Sequence, residues 1–224
     1  DAKMLDICMI LQAEHGGGNN STFTTHVVTS SGTDTYSCIA ASLASLKGPR
    51  HGGANLKVAQ MIENIMENVT SLDDDSICAY LEKILNKEVF DHLGLIYGLG
   101  HAVYSISDPR ANILESQIEK YVEGKPKDDQ YILFSKLKKL APMVIAKNRT
   151  MFKDISVNID FFSGYVYNLL KIPKELFTPI FAVSRIAGWS AHRLEELLNK
   201  GKIIRPAYIA VAPRQDYASL ENRK

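Results

Sequence analysis

"GPRHGGANLKVAQMIENI", residues 48–65, opens as a cluster of chain-breaking residues around one histidine and continues as an amphipathic helix. The helical half speaks to the fold class and the histidine to function. Asn55 or the glycines could start a helix without any imidazole, so capping alone leaves His51 unexplained. A reactive ring at the positive end of a helix is the sharper reading. Unpaired backbone N–H groups there favour anions and keep an imidazole neutral.

Working outward, helical periodicity recurs along the chain and sustained strand-like alternation does not. Upstream, residues 20–47 read as one long or two short helices, with Ser21 or Asn20 as cap and Gly48-Pro49 as stop; Tyr36, Ile39, Ala40, Leu43 and Leu46 recur at three- and four-residue steps. Downstream, a helix over 54–68 is followed by the acidic cap "SLDDDS" and a second stripe of Ile77, Tyr80, Leu81, Ile84 and Leu85. Pro109 falls in the first turn of a helix opened by Ser107-Asp108, and another helix is expected near 128–147. "DISVNIDFFSGYVYNLL" reads as a loop entering a helix, Pro173 opens a long helix that Gly201 ends, and the tail is irregular. The expected class is all-α.

Composition narrows the function. The 26 basic residues are scattered among 25 acidic ones for a net charge of +1, which argues against a nucleic-acid-binding face. Cys8, Cys38 and Cys78 are widely spaced in apolar surroundings, as suits buried thiols in a reducing, cytoplasmic setting rather than a disulfide frame or a zinc site. Nothing reads as a signal peptide or a membrane span. The first residues, "DAKMLDICMILQAEHGGG", read as the last turns of a helix already under way.

Six histidines occur, and three sit in glycine-rich breaks: His15, His51 and His101. Glycine admits close approach of backbone to a ligand, and loops carry function disproportionately. His26, His92 and His192 read as partly buried residues bonded to backbone, and no metal site is expected, since near-sequence His or Cys pairing is lacking. Asp160 stands between Ile159 and Phe161-Phe162, where an apolar residue would be ordinary. It reads either as a helix N-cap or as a base whose pKa burial raises. Arg110 in a first helical turn, Arg185 in an apolar helix and Arg205 before a proline are awkward places for cations. Together with the loop histidines they suggest a pocket for a small di- or tricarboxylate, which guanidinium grips with paired hydrogen bonds.

"AEHGGGNNSTFTTHVV", "GPRHGGAN", "GLGHAVYSISDPRA", "NIDFFSG" and "SRIAGWSAHRLEELLNKGKIIRPAY" resemble, in order, the successive signatures of the citrate synthase family. The resemblance implies a helical acyltransferase that condenses oxaloacetate with acetyl-coenzyme A and hydrolyses citryl-coenzyme A to citrate and coenzyme A. By resemblance, His51 donates to the acetyl thioester oxygen, Asp160 is the base that deprotonates its methyl group, and His101 polarises the oxaloacetate ketone. His15, Asn19, Arg110, Arg185 and Arg205 hold oxaloacetate, Arg205 from across a homodimer interface. Gly98, Leu99 and Gly100 lie against coenzyme A, a co-substrate; no permanently bound cofactor or metal is implied. The implied domains are discontinuous: 1–52 with 166–224 form part of a large domain, and 53–165 a small one.

Ser105 departs from the basic residue that many relatives carry there, and the N-terminal helices of the large domain are missing from these 224 residues. The chain is therefore expected to be a C-terminal portion, with apolar surface exposed where those helices would pack and weak or no turnover on its own. A steady-state assay of the 224-residue chain checks this; full activity would contradict it. The alternatives are a 2-methylcitrate synthase, the citrate-synthase-like module of an ATP-citrate lyase, or a non-enzymatic helical scaffold.

Overall fold

A computed structural model describes residues 1–49, 51–100, 107–126, 128–148 and 155–223. Its helices are α1 (Ala2–Gln12), α2 (Asn20–Ser30), α3 (Thr35–Lys47), α4 (Ala54–Asn68), α5 (Asp74–Leu85), α6 (Pro109–Val122), α7 (Asp129–Asn148), α8 (Ile159–Leu169) and α9 (Phe177–Asn199). Among the described residues the only extended pairing is an isolated bridge between Leu99 and Val157, so the class is all-α as expected.

Residues 20–47 form two helices, because Gly32 turns the chain at φ +83° and Asp34 restarts it by accepting from Ser37 N. The cap of α2 is Asn19, one residue before Asn20 and two before Ser21; its side chain accepts from Ser21 N at 3.2 Å. On α3 the inward face is Cys38, Ser42 and Leu46, whereas Tyr36 is 89% exposed and Leu43 points outward. Apolar spacing there described a face that this chain leaves uncovered. The long α9 ends through Lys200 in the left-handed region at φ 48°, and not through Gly201.

Two packing groups result. Helices α4 to α8 enclose a core of Val58, Ile62, Ile65, Ile77, Leu81, Leu137 and the α8 aromatics. Phe134 stacks on Phe161 with centroids 4.6 Å apart and on Tyr165 at 4.1 Å, which fixes the rotation of α8 about its axis. Helices α1, α2 and α3 pack along α9, with Leu46 and Trp189 fully enclosed.

Gly164 sets how closely α8 approaches α4. A Cβ there would lie 2.6 Å from Asn55 O and 3.3 Å from Val58 Cβ, and a carbonyl within a helix cannot swing away. Gly164→Ala is expected to destabilise the fold by about 1–3 kcal/mol, as overpacking does. A denaturation midpoint equal to that of the parent would contradict this packing.

Candidate active site

The chemistry-bearing residues meet between the two packing groups. A cavity of about 140 Å³ is lined by His15, Asn19, His51, Gly52, Arg110, Ile159, Asp160, Phe181 and Arg185. Six of these are residues singled out in the sequence, contributed by breaks and helices scattered from position 15 to position 185.

Asp160 is placed by the start of α8. The N-cap is Asn158, not Asp160: its side chain accepts from Asp160 N at 3.0 Å, which leaves the Asp160 carboxylate free of capping duty. Asn158 in turn donates through Nδ2 to Gly100 O at 2.9 Å and through its backbone N to Gly98 O at 2.9 Å. Gly98, at φ +81°, has Phe161 so close that a Cβ would lie 2.8 Å from the Phe161 Cβ. The Gly98–Leu99–Gly100 segment thus braces the start of α8 and with it Asp160. Burial pushes the Asp160 carboxyl up to about 6, against the pull of Arg110 and Arg185 and with some help from Asp108. Part of its surface stays open, on the cavity that it lines.

Arg110 is tolerated in the first turn of α6 because Asp108 neutralises it. The Asp108 carboxylate, 1% exposed, accepts from Arg110 Nε at 3.0 Å and Nη2 at 2.8 Å. It also accepts from Arg110 N at 3.0 Å and from Ile159 N at 3.1 Å, tying the start of α6 to the start of α8. Burial would raise the Asp108 pKa, but these bonds and the Arg110 charge outweigh it, and the carboxyl lies below its ordinary value. The sequence reading treated Asp108 only as a helix start; its buried double grip on Arg110 needed the fold to be seen.

Arg185, on α9, is 1% exposed. Its Nε donates to Gln12 O at 2.7 Å and its guanidinium lies 4.7 Å from the Phe181 ring centroid, while Nη1 has no hydrogen-bond partner. Burial pushes it down to about 10, Glu14 working against that shift, so it is charged at neutral pH. A buried guanidinium with an unpaired prong is a strong anion receptor.

His51 occupies the turn before α4, whose N-terminus has no side-chain cap. Its Nε2 is 2.9 Å from Ser21 Oγ, which accepts from Trp189 Nε1 at 3.2 Å and donates to Asn19 Oδ1 at 2.8 Å. Burial, followed by the charge of Arg185, holds the His51 pKa below 6.5. The ring is therefore neutral at physiological pH, with Nε2 engaged and Nδ1 left for other partners. Ser21 and Trp189 escaped the sequence reading; no local pattern brings positions 21, 51 and 189 together.

Other expectations fall elsewhere. Arg205 is exposed in the extended C-terminal segment and does not line the cavity. His101 and Ser105 lie outside the described residues. His26 and His192, read from sequence as bonded to backbone, instead contact each other, Nε2 to Nδ1, at 3.1 Å; their ring nitrogens and Glu195 Oε2 form a group that could hold a metal ion. Cys8 and Cys38 are buried and Cys78 is partly exposed, all three unpaired. Between α3 and α9 an open apolar groove is lined by Leu43, Leu46, Pro179, Ala182, Val183 and Ile186. No helix among the described residues is long and apolar enough to cross a membrane.

Comparison with known proteins follows this geometry. The family model for the citrate synthase C-terminal domain matches residues 1–207. A citrate synthase from Synechocystis is 41% identical over 94% of this chain and 48% of its own length, and a 2-methylcitrate synthase from Shewanella oneidensis is 36% identical over 95% of this chain and 52% of its own. The structure of citrate synthase from Thermoplasma acidophilum, in a ternary complex with carboxymethyl coenzyme A and oxaloacetate, superposes with a TM-score of 0.74 at 31% identity, over 98% of this chain and 55% of that one. The chain spans about half the length of the curated relatives it matches. An all-α fold whose sequence signatures converge on one cavity, matched over residues 1–207 and at 41% identity, establishes that the chain belongs to the citrate synthase family.

Proposed function

We propose that the protein containing this chain condenses oxaloacetate with acetyl-coenzyme A and hydrolyses the citryl thioester to citrate and coenzyme A. The observation that carries this reading is the shared cavity: a carboxylate with its pKa raised to about 6 faces the same space as a neutral histidine and a buried arginine with an unpaired donor. Arg110 and Arg185 would take the two carboxylates of oxaloacetate, with His15 and Asn19 beside them. The volume of about 140 Å³ suits a small diacid and not a whole coenzyme, which would lie across the mouth against Gly98, Leu99 and Gly100.

Asp160 then takes a proton from the thioester methyl group, and the electron pair moves onto the thioester oxygen. A carboxylate is too weak to do this unaided, so the developing enolate needs a donor aimed at its oxygen. His51 supplies that donor from Nδ1 in the tautomer whose Nε2 accepts from Ser21, which requires the Ser21 hydroxyl proton to turn from Asn19 Oδ1 to His51 Nε2. The enolate carbon attacks the ketone carbon of oxaloacetate, and the alkoxide formed takes a proton, a role that falls to His101 by resemblance.

The cavity receives His15, Asn19, His51, Phe181 and Arg185 from one packing group and Arg110, Ile159 and Asp160 from the other. This supports a division into 1–52 with 166–224 and 53–165, closing on the substrate and excluding water from the enolate. Arg205 is proposed to act in the cavity of a second copy in a homodimer, and the cytosol, in keeping with three free thiols, is the proposed compartment.

Isothermal titration with oxaloacetate, then with acetyl-coenzyme A, tests the reading. Oxaloacetate is expected to bind first and at one site per chain; no detectable binding would favour a non-enzymatic scaffold. The Shewanella relative keeps a 2-methylcitrate synthase in view. Faster turnover with propionyl- than with acetyl-coenzyme A would establish that alternative.

A further inference from the structure

Outside the lining of the cavity, α2 and α9 hold two imidazoles against each other. His26 Nε2 lies 3.1 Å from His192 Nδ1, with ring planes at 68°, and Glu195 Oε2 lies 3.5 Å from the same His192 Nδ1. Each ring has a carboxylate on its outer nitrogen. Glu196 Oε2 is 2.8 Å from His26 Nδ1, and Glu14 Oε2 is 2.7 Å from His192 Nε2, although that N–H is not aimed along the contact.

A hydrogen bond between the two rings, with one shared proton, uses one nitrogen of each. Here a third group, Glu195 Oε2, converges on the same point, and one ligand atom from each of His26, His192 and Glu195 lies within 4.8 Å of the other two. Three convergent donor atoms are one more than a shared proton needs.

We propose that His26 Nε2, His192 Nδ1 and Glu195 Oε2 bind a divalent transition metal ion of the zinc class, with the fourth position open to water. Two nitrogens on a tetrahedral zinc, each at about 2.0–2.1 Å, stand about 3.3 Å apart, within a few tenths of the spacing already present. The Glu196 carboxylate on the outer nitrogen of His26 is the kind of partner that orients a metal-bound histidine and raises its basicity. The histidine side chains are 20% and 15% exposed, and Glu195 is 62% exposed, so the rings are held by helices while the carboxylate closes from the solvent side. The site also reaches the cavity. Glu14 accepts from the backbone N–H groups of His15 and Gly16, so an ion at His192 tethers the loop that carries His15.

Titration of the chelator-stripped chain with zinc chloride is expected to give one tight equivalent, and cobalt(II) in its place the intense visible absorption of a four-coordinate ion. His26→Gln and His192→Gln should each abolish both signals. Glu195→Gln, at an exposed position, should weaken zinc binding at least tenfold, and Glu196→Gln should weaken it by about 10- to 100-fold. No heat with the parent, or binding that all four substitutions leave unchanged, would overturn the proposal and assign the shared proton to this contact.

Discussion

Replacing Asp160 by Asn, in the protein containing this chain, is expected to lower citrate formation by about 10²- to 10⁴-fold, the usual contribution of a positioned general base, the role proposed for Asp160. Oxaloacetate affinity should stay within a few-fold, because Arg110 and Arg185 are untouched. Asn fits the site: the position is capped through its backbone N, by Asn158, and not through its side chain. The parent rate should rise with pH through about 6 as the carboxyl ionises, and that limb should vanish in the variant. Retained activity with an unchanged pH profile would remove Asp160 from the role of base.

The same substitution should stabilise the fold. A carboxyl whose pKa is raised on folding from 3.8 to about 6 makes the folded state bind more protons than the unfolded one between those values, so stability falls as pH rises through that window. At neutral pH the cost is roughly 2–3 kcal/mol. Asp160→Asn removes it, and the variant should melt higher than the parent at pH 7 while the two converge near pH 4. The Asp160 carboxylate is thus held at the expense of stability, a common trade at active sites.

The second large effect concerns the anion receptor. Arg185→Lys keeps the charge and gives up the planar fork, and is expected to weaken oxaloacetate binding by about 10- to 150-fold, equivalent to about 1.5–3 kcal/mol for hydrogen bonds to a charged group. Arg185→Met should go further and move the His51 titration point upward, because the Arg185 charge helps to hold it down. Calorimetry reads the first effect and imidazole NMR the second. Parent-like oxaloacetate affinity in both variants would contradict the assignment.

Amphipathic helices were legible from sequence wherever one face is buried inside this chain. For α4 and α5 the apolar stripe and the buried face coincide, and the expected range 54–68 matches α4. On α3 the stripe misled, because Tyr36 and Leu43 face out of this chain while a polar Ser42 faces in and bonds Thr25 Oγ1 at 2.7 Å. Single-residue caps shifted for a similar reason: Asn158 and Asn19 win over Asp160 and Ser21 because their side chains reach the second residue of the helix. Five of the sequence-selected residues besides Asn19 do share a cavity. What one-dimensional reading could not supply were partners remote in the chain, such as Ile159 for Asp108, Trp189 for Ser21 and His192 for His26, since their pairing depends on how α2, α8 and α9 pack.

The most direct test of the central claim is proton exchange at the acetyl methyl group. With acetyl-coenzyme A in D₂O and a dicarboxylate lacking the electrophilic ketone in place of oxaloacetate, the complete protein should put deuterium into the methyl group, and Asp160→Asn should not. Binding of both ligands without exchange at any pH from 5 to 9, or exchange that survives Asp160→Asn, would contradict enolisation by this cavity.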